Sequence, residues 1–481
     1  MREPRAELLL LASALALRAF ATGLADAAAL AQLGAAARGR SRQAPAAAEG
    51  KRQRMWNYED LQYYTRLAVG GQEMSALIDT GSFELVVFER SCSACGAAGG
   101  YNRSLSPSHR NGSLTKALYY GSGDVYAREA FDLVSLGPFG GVNLSFWEGY
   151  DAYMPVLEQA RFQAIVGVGP PETPASDAWG DVRKRIGKLT AELERGVLPG
   201  APARQALDES ARFSAEVSRA PKLLRSLGVS MFSLCLGRRP GSGGYFIWDD
   251  QSALERGAAF KRIAVMGKHT WTVNLTAVRL GQDAAGAGPP AALGCEAGCG
   301  AIVDSGTSLI MMPAAYVDKL VSIVEKLGKN CSNMRDLPDL VFALDGQQFS
   351  LPPDSYLAEM TDAEAIPSHM LSLVRMRKLA PRGGKCEVSV MESWSDTAWG
   401  PLWIIGMPFF RKYYTTFSTG RSRSERALYV APATAGCRPA SPQVALALDR
   451  GREVFRRRFN LSRLYLSPLA KRATGAGFLE L

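Results

Sequence analysis

The sequence predicts a protein dominated by β-strands and built from two related halves. Its 481 residues include 48 glycines and 26 prolines, and short runs of Val, Ile, Leu, Phe and Tyr recur along it. This composition favours strands joined by many turns. In addition, residues 76–88, ALIDTGSFELVVF, return in altered form at residues 301–313 as AIVDSGTSLIMMP. A chain of this length can bury at least two domain-sized cores.

Both copies of the repeat consist of an apolar strand, an acid, a Thr/Ser-Gly-Ser/Thr turn and further apolar residues. One such acid is ordinarily a turn residue, but two in separate halves indicate a duplicated unit. A second element repeats as FQAIVGVGP (162–170) and LWIIGMPFF (402–410), each with two apolar residues before a glycine. A glycine after a buried strand lets another backbone approach closely.

The charge distribution excludes one class of function. The net charge is +10, but the excess of basic residues lies in residues 1–54 and 439–481, and the body between them is nearly neutral. A nucleic-acid-binding body carries its basic face in the folded part, so no nucleic-acid partner is expected. Basic ends are typical of processing signals, solvated tails or contacts with anionic surfaces.

The N-terminus has the pattern of an export signal. Two arginines precede an apolar core at residues 8–17, and small residues follow, which predicts a secretory signal peptide over 1–27. An organelle transit peptide is the alternative. Residues 28–54 are predicted to be a short prosegment that ends in the basic cluster KRQR. No later segment is apolar over the length of a membrane span, so we expect a soluble mature protein.

The eight cysteines are even in number and follow a predicted export signal, so disulfides are expected. Spacing alone suggests the pairs Cys92–Cys95 and Cys295–Cys299. Zinc is the alternative for the first pair, but no second CxxC or His pair completes such a site. No metal or cofactor is predicted. Six sequons fit an exported chain: Asn102, Asn111, Asn143, Asn274, Asn460 and, beside Cys331, Asn330.

With these motifs in this order, the chain resembles the pepsin-like aspartic proteases from about residue 56 to 432. Residues 119–137, YYGSGDVYAREAFDLVSLG, resemble the flap hairpin of that family, and residues 295–309, CEAGCGAIVDSGTSL, resemble its short cysteine loop and second acid motif. The resemblance is to the eukaryotic cathepsin D and pepsin type, with some plant-type cysteine features. It implies an all-β dominated, bilobal pepsin-like β-barrel fold with two pseudo-symmetric lobes and a few short helices. Further segments that resemble family strands are residues 57–70, 231–237, 337–356 and 403–418.

The resemblance implies that Asp79 and Asp304 form a catalytic pair. Peptide hydrolysis needs one group that takes a proton from water and another that holds a proton for the leaving nitrogen. Two carboxyls about 3 Å apart share a proton and titrate together, as is well characterised in aspartic proteases. The supporting residues would be Thr80 and Ser305, which link the two loops, Gly81 and Gly306, which present backbone N–H groups, and Ser82 and Thr307, which bond the outer carboxylate oxygens. Tyr120, Gly121 and Ser122 would form a flap over the substrate.

The resemblance also implies the remaining disulfides. Cys331–Cys386 stands in the place of the disulfide of the second lobe, and Cys235–Cys437 matches cysteines of plant-type relatives. With four bridges no free thiol remains. A thiol protease is then excluded, because its nucleophile must be free and ionisable.

Three residues depart from the family pattern. Val86 stands where an aromatic residue, often Trp, helps to hold the flap tyrosine through a hydrogen bond. Gln163 and Met407 stand where Asp is common. We expect these changes to alter pH preference and the polarity of the pocket while the acid pair is kept.

The predicted domains are an N-terminal lobe over 55–228, a C-terminal lobe over 229–438 and a basic C-terminal extension over 439–481. A helical insertion is predicted at 171–227 and a core helix at 313–328, because apolar residues recur there at helical spacing. The extension is interpreted as a plain appendage or as a basic amphipathic helix, with Leu448, Phe455 and Phe459 on its apolar face, that contacts a membrane or a partner.

The predicted function is that of a monomeric aspartic endopeptidase of the secretory pathway, either extracellular or in a lysosome- or vacuole-like acidic compartment. Its partners would be extended polypeptide substrates with bulky apolar side chains. Two alternatives stay open: a catalytically inactive pepsin-like protein that serves as a binding or inhibitor module, and a glycosidase that uses two carboxylates.

Overall fold

The computed structural model describes residues 51–170, 191, 194–195, 223–281, 290–328, 331–361, 385–474 and 477–479. The predicted signal peptide and residues 28–50 of the predicted prosegment lie outside the described residues. So does nearly all of the helical insertion predicted at 171–227.

The described residues are rich in strands and contain a few helices. The strands are β1 (Lys51–Tyr58), β2 (Gln62–Val69), β3 (Gln72–Asp79), β4 (Leu85–Phe88), β5 (Arg110–Tyr120), β6 (Gly123–Leu136), β7 (Phe139–Tyr153), β8 (Ala164–Gly167), β9 (Met231–Leu236), β10 (Gly244–Trp248), β11 (Lys261–Ala264), β12 (Thr272–Leu280), β13 (Ala291–Gly294), β14 (Cys299–Val303), β15 (Ile310–Pro313), β16 (Leu340–Leu344), β17 (Gln347–Leu351), β18 (Leu357–Thr361), β19 (Lys385–Val388), β20 (Val390–Ser393), β21 (Ser395–Thr397), β22 (Gly400–Ile405), β23 (Tyr413–Ser418), β24 (Ala427–Pro432), β25 (Arg458–Asn460) and β26 (Gly477–Leu479). The α-helices are α1 (Leu223–Ser226), α2 (Ser252–Glu255), α3 (Ala314–Lys326), α4 (Met407–Lys412), α5 (Pro442–Arg450) and α6 (Pro468–Ala473).

The largest sheet joins the two halves of the chain through β1. Its order is β11-β24-β23-β9-β10-β1-β2-β3-β8-β4-β7-β6-β5. Lys51–Met55 pair with β10 of the second half, and Trp56–Tyr58 pair with β2 of the first half. Residues 51–54, which the sequence analysis assigned to the end of the prosegment, therefore form the first half of a strand in the folded body.

The near-repeat corresponds to one strand arrangement that occurs twice. In the first half β3 pairs in parallel with β8, β8 in antiparallel with β4, and β4 in parallel with β7. In the second half β14, β22, β15 and β20 follow the same pattern with the same directions. Asp79 is the last residue of β3, and Asp304 directly follows β14. The two acids therefore occupy equivalent positions in two copies of one unit.

The glycines that end the two repeated strands allow close packing of backbones. A Cβ atom added to Gly167 would lie 2.5 Å from the backbone nitrogen of Phe83 in the first acid turn. A Cβ atom added to Gly406 would lie 2.0 Å from the carbonyl oxygen of Leu309, beyond the second acid turn. Each acid turn is thus held against a strand on which a side chain cannot fit.

Four disulfides stabilise the fold, and they join the four pairs that the sequence analysis expected: Cys92–Cys95, Cys295–Cys299, Cys331–Cys386 and Cys235–Cys437. A zinc site at the first pair would require free thiolates, so the zinc alternative is wrong there. The predicted core helix appears as α3, which buries Val317, Leu320 and Val324. No helix among the described residues is long and apolar enough to cross a membrane.

The C-terminal extension differs from both interpretations of its sequence. Helix α5, capped by Ser441, ends at Arg450, and residues 458–460 form β25 beside β18. The helix is followed directly by Gly451, and beyond it Arg457 forms buried ion pairs with Asp60 and Asp354, at 2.9 and 3.0 Å. Phe459 is buried in an apolar cluster with residues of the second half. The extension is therefore part of the folded body, and its apolar residue Phe459 is not available to a membrane.

We predict that Gly406→Ala lowers the free energy of unfolding by about 3 kcal/mol or more, because the new methyl group overlaps backbone oxygens that cannot move independently. The measurement is the thermal unfolding midpoint. Gly257→Ala is the matched control, since a Cβ at Gly257 meets no atom within 4 Å. Equal midpoints for the two variants would contradict the packing argument.

Candidate active site

Asp79 and Asp304 are both fully buried and are held in the same way by the turns that follow them. The N–H of Gly81 donates to Asp79 Oδ1 at 2.8 Å, and the N–H of Gly306 donates to Asp304 Oδ1 at 2.8 Å. Backbone donors that satisfy a buried carboxylate fix its orientation and favour its ionised form.

The two turns meet so closely that each glycine lies against the carboxyl of the other half. A Cβ on Gly81 would be 2.7 Å from Asp304 Oδ1, and a Cβ on Gly306 would be 1.9 Å from Asp79 Oδ1. The two carboxyls are within hydrogen-bonding reach of each other. The structure thus brings together the two acids that the sequence analysis paired, although 225 positions separate them along the chain.

Four hydrogen bonds between the loops fix this geometry. The N–H of Thr80 donates to Ser305 Oγ at 3.1 Å, and the N–H of Ser305 donates to Thr80 Oγ1 at 2.9 Å. The hydroxyl of Thr80 donates to the carbonyl of Val303 at 3.1 Å, and that of Ser305 donates to the carbonyl of Ile78 at 2.8 Å. Each hydroxyl therefore both donates and accepts across the boundary between the two halves.

The pKa values of both acids are raised, and burial is the largest cause for each. Desolvation and then the charge of Asp304 raise the pKa of Asp79 well above its ordinary value. Desolvation also raises the pKa of Asp304, against the opposing effect of hydrogen bonds from Ser467 and Thr307. Because two adjacent carboxylates cannot both ionise at low cost, the pair keeps one proton. Such a pair contains a base and an acid at the same time.

The bonds to the outer carboxylate oxygens are less symmetric than expected. Thr307 Oγ1 donates to Asp304 Oδ2 at 2.7 Å, as predicted. Ser82 was expected to bond Asp79 in the same way, and its hydroxyl does lower the pKa of Asp79 as a hydrogen-bond donor, but with poorer geometry than the bond of Thr307. Asp79 Oδ2 also accepts the hydroxyl of Tyr465 at 3.0 Å.

The predicted flap residues lie at the tip of the hairpin formed by β5 and β6, where Tyr120 pairs with Gly123. The side chain of Tyr120 is fully buried, and its hydroxyl has no hydrogen-bond partner among the described residues. This agrees with Val86 standing where the family has an aromatic residue, since an aliphatic side chain offers no hydrogen bond. Gly121 and Ser122 direct their N–H groups at another part of the chain.

That part is the C-terminal extension, which crosses the cleft under the flap at residues 464–467. On the flap side, the N–H of Gly121 donates to the carbonyl of Ser467 at 3.0 Å, and the N–H of Leu466 donates to Ser122 Oγ at 2.8 Å. On the opposite side, the N–H of Ser308 donates to the carbonyl of Tyr465 at 3.2 Å. The extension is thus bound by its backbone between the flap and the second acid turn.

The side chains of the extension reach both acids. Ser467 Oγ donates to Asp304 Oδ2 at 2.6 Å, in addition to the Tyr465 bond to Asp79. The ring of Tyr465 lies 6.2 Å from that of Tyr120 and 6.1 Å from that of Phe162, between centroids. Tyr465 therefore fills an aromatic pocket that opens onto Asp79.

Sequence reasoning did not find Tyr465 or Ser467. They lie in NLSRLYLSPLA (residues 460–470), a segment rich in leucine within a basic tail. The apolar residues suggest burial, but nothing in the sequence indicates what the segment contacts.

The predicted glycosylation sites stay predictions. Asn111 and Asn143 are exposed, whereas Asn102, Asn274 and Asn460 are half-buried. Asn330 lies outside the described residues. Among the described residues, no group of three or more His, Cys, Asp or Glu side chains is arranged to hold a metal ion.

Comparisons with known proteins point to one family. The family model described as eukaryotic aspartyl protease matches residues 62–187 and 222–428. Human gastricsin is 26% identical over 380 residues, which cover 76% of this chain and 81% of gastricsin. Bovine pepsin A is 23% identical over 382 residues, which cover 77% of this chain and 85% of pepsin A. Cathepsin E-A of Xenopus laevis is 24% identical over 379 residues, which cover 76% and 79%.

We predict that Thr80→Val destabilises the junction of the acid turns by about 1–3 kcal/mol, because the buried N–H of Ser305 and carbonyl of Val303 lose their partner. Thr80→Ser keeps the hydroxyl and serves as the matched control. Thermal unfolding of the two variants measures the difference. A Val variant as stable as the Ser variant would show that the bonds between the loops contribute nothing.

Proposed function

We propose that this chain, which belongs to the eukaryotic aspartyl protease family, hydrolyses peptide bonds through a water molecule held between Asp79 and Asp304. The observation that carries the proposal is the contact of two buried carboxyls, each held by the N–H of its own glycine turn. A pair that keeps one proton can act as base and acid in the same reaction.

In the proposed reaction, the ionised carboxyl takes a proton from the water, whose oxygen attacks the carbonyl carbon of the peptide. The protonated carboxyl donates its hydrogen to the carbonyl oxygen, which gives a tetrahedral diol. The C–N bond then breaks as the first carboxyl passes the proton that it took from water to the nitrogen, and the second carboxyl takes back a proton from a hydroxyl of the diol. No side chain forms a covalent intermediate. The burial of both acids supports this scheme, because exclusion of bulk water strengthens the charge interactions at the reacting atoms.

The proposed substrate is an extended polypeptide with bulky apolar side chains. The N–H groups of Gly121, Ser122 and Ser308 all donate to main-chain carbonyls of the segment that crosses the cleft. Such bonds suit any extended peptide, as in strand-type recognition. The aromatic pocket of Tyr120 and Phe162 supports a preference for bulky side chains.

We further propose that the protein acts in the secretory pathway, in an acidic compartment or outside the cell. Four disulfides are typical of an oxidising compartment. The alternative is a pepsin-like protein that binds peptides without cutting them, and the intact acid turns argue against it.

We predict that Asp79→Asn and Asp304→Asn each reduce the cleavage of a denatured protein by about 10³-fold or more, because either change removes the base or the acid. Because residues 464–467 lie in the cleft, each protein is assayed intact and also after cutting at an engineered protease site in the exposed part of α5. Product formation is followed from pH 3 to pH 7, with and without a statine-type inhibitor.

Asp396→Asn is the matched control for both variants, since Asp396 is exposed on β21 and far in sequence from either acid turn. Cleavage that persists in both dyad variants would exclude the pair as the catalyst. If the cut wild-type protein binds the inhibitor but cleaves nothing, the peptide-binding alternative is favoured.

We also predict a bell-shaped dependence of kcat/KM on pH. Below the lower pKa of the pair no base is left, and above the higher pKa no acid is left. The hydrogen bond from Thr307 lowers the pKa of Asp304, so Thr307→Val should move the acidic limb to higher pH. Thr307→Ser keeps the hydroxyl and should leave that limb in place. An unchanged acidic limb in the Val variant would contradict the assignment of the acidic limb to Asp304.

A further inference from the structure

The C-terminal extension occupies the same groups that a substrate would need. We propose that residues 458–474, here called the closing segment, are an intramolecular inhibitor that blocks the cleft until the segment is displaced. This inference rests on the proposed function, because it assigns the same cleft two competing occupants: an external peptide and the protein's own C-terminal end.

The backbone of the closing segment uses the binding groups on both sides of the cleft. Gly121 and Ser122 of the flap bond the carbonyls of Ser467 and Leu466. The backbone N–H and the side-chain oxygen of Ser308, from the second acid turn, bond the carbonyl and the N–H of Tyr465. A peptide substrate cannot pair with these groups while the segment is present, so the two occupants exclude each other.

The closing segment also takes the positions of the attacking water. Tyr465 and Ser467 place hydroxyl groups on Oδ2 of Asp79 and of Asp304, at 3.0 and 2.6 Å. A nucleophilic water must hydrogen-bond these same carboxyls before it can give up a proton. With both acids bonded to hydroxyls of the protein itself, the reaction has no room for its nucleophile.

The segment is bound like a substrate, but its chain does not continue as one. The carbonyl of Ser467 faces the flap N–H of Gly121, and the next residue, Pro468, begins helix α6. Proline has no N–H to pair with the cleft and favours the first turn of a helix. The extended part therefore ends at the acids, and no extended peptide bond follows Ser467 through the site.

Charged contacts anchor the segment and the residues before it. Arg457 is 1% exposed and pairs with Asp60 and Asp354, which are also buried. On either side of it, Arg456 and Arg458 both bond the carboxylate of Glu359 on β18. A shift of the segment along its own direction would separate Arg457 from its partners and leave buried charges without compensation. These contacts therefore hold the segment in one register.

Apolar contacts complete the anchoring. Leu461, Leu464, Leu466 and Leu469 are buried in one cluster with Leu61 and strands β14, β15 and β22 of the second half. Because the segment is tethered, its effective concentration at the cleft is on the order of millimolar or above. The tether itself includes α5, where Val444 and Leu446 are 42% and 61% exposed. A cut in α5 would turn an intramolecular inhibitor into a separate peptide that can dissociate.

The first test compares two substitutions of one kind. Leu466→Asp places a charge under the flap, where Leu466 Cβ lies against Gly121, and should expel the segment. Leu446→Asp, on exposed α5, is the matched control. We expect Leu466→Asp to raise kcat/KM for a fluorogenic peptide by about 10²-fold or more, and Leu446→Asp to leave it unchanged. Equal kcat/KM values for folded Leu466→Asp and wild-type proteins would overturn the proposal.

The second test adds the closing segment in trans. A synthetic peptide of residues 458–474 should inhibit the Leu466→Asp protein in competition with the substrate. The same peptide with Tyr465→Phe, which lacks the bond to Asp79, should bind about 10-fold more weakly. Failure of the unmodified peptide to inhibit, or inhibition that does not compete with substrate, would contradict binding in the cleft.

The third test covers the case in which Leu466→Asp does not fold. A protease site engineered in α5 is cut, the protein is diluted, and its activity is measured. The control is a protein cut at an engineered site in the exposed residues 421–425, where the Cys235–Cys437 disulfide keeps the segment covalently tethered. Only the cut in α5 should raise the peptidase activity. Equal activities after the two cuts would overturn the proposal.

These outcomes are distinct from failure of the proposed function. If no form of the protein cleaves a peptide, the proposed function is wrong. Whether the closing segment occupies the cleft is then measured by the binding of a statine-type inhibitor. The inhibitor should bind the protein cut in α5 at least about 10²-fold more tightly than the intact protein. Equal affinities would show that the segment does not compete for the cleft.

Discussion

The contact between two buried carboxyls is the constraint on which the rest of the structure depends. Two acids side by side, removed from water, are unfavourable both by desolvation and by mutual repulsion. The contact persists because each carboxyl accepts a backbone N–H and because the turns are tied together by the hydroxyls of Thr80 and Ser305. The remaining unfavourable energy is relieved by retention of one proton, and that proton makes the pair chemically useful.

The duplicated fold brings the acids together, but it does not make them equal. Each half supplies one acid at the end of a strand with the same neighbours, so the backbone around the pair is symmetric. The side chains break that symmetry, because Thr307 bonds Asp304 at 2.7 Å while the equivalent Ser82 forms no hydrogen bond of ordinary geometry among the described residues. The additional bond to Asp304 opposes the rise of its pKa. Unequal environments are what allow one member of a pair to act as base and the other as acid.

Much of this site could be predicted from the sequence because its signals are local. An apolar run that ends in Asp and a Gly turn specifies a strand end, and two such patterns specify a pair. The glycines at 167 and 406 follow from the same reasoning, since close packing of backbones excludes a side chain. The tetrapeptide around Asp79 does not show that Tyr465, from the other end of the chain, bonds the same carboxylate.

The C-terminal extension could not be placed from its sequence for a related reason. Its basic run looks uniform, yet Arg457 is buried whereas Arg456 and Arg458 keep most of their side chains in water. That difference depends on Asp60 and Asp354, which are remote in sequence. A run of like charges ordinarily predicts a solvated tail, and only the position of its partners in the fold can reverse that expectation.

The acids and the extension follow one physical rule, which is that buried polar groups must be paired. When Tyr465 and Ser467 leave, the oxygens of Asp79 and Asp304 need new donors, and the N–H groups of the flap need new acceptors. Water can satisfy the first requirement, and the carbonyls of an extended peptide can satisfy the second. Only water and peptide together replace everything that the extension supplies, and these are the two reactants of peptide hydrolysis. The contacts that keep the site closed are therefore the ones that the open site must form again with its substrate.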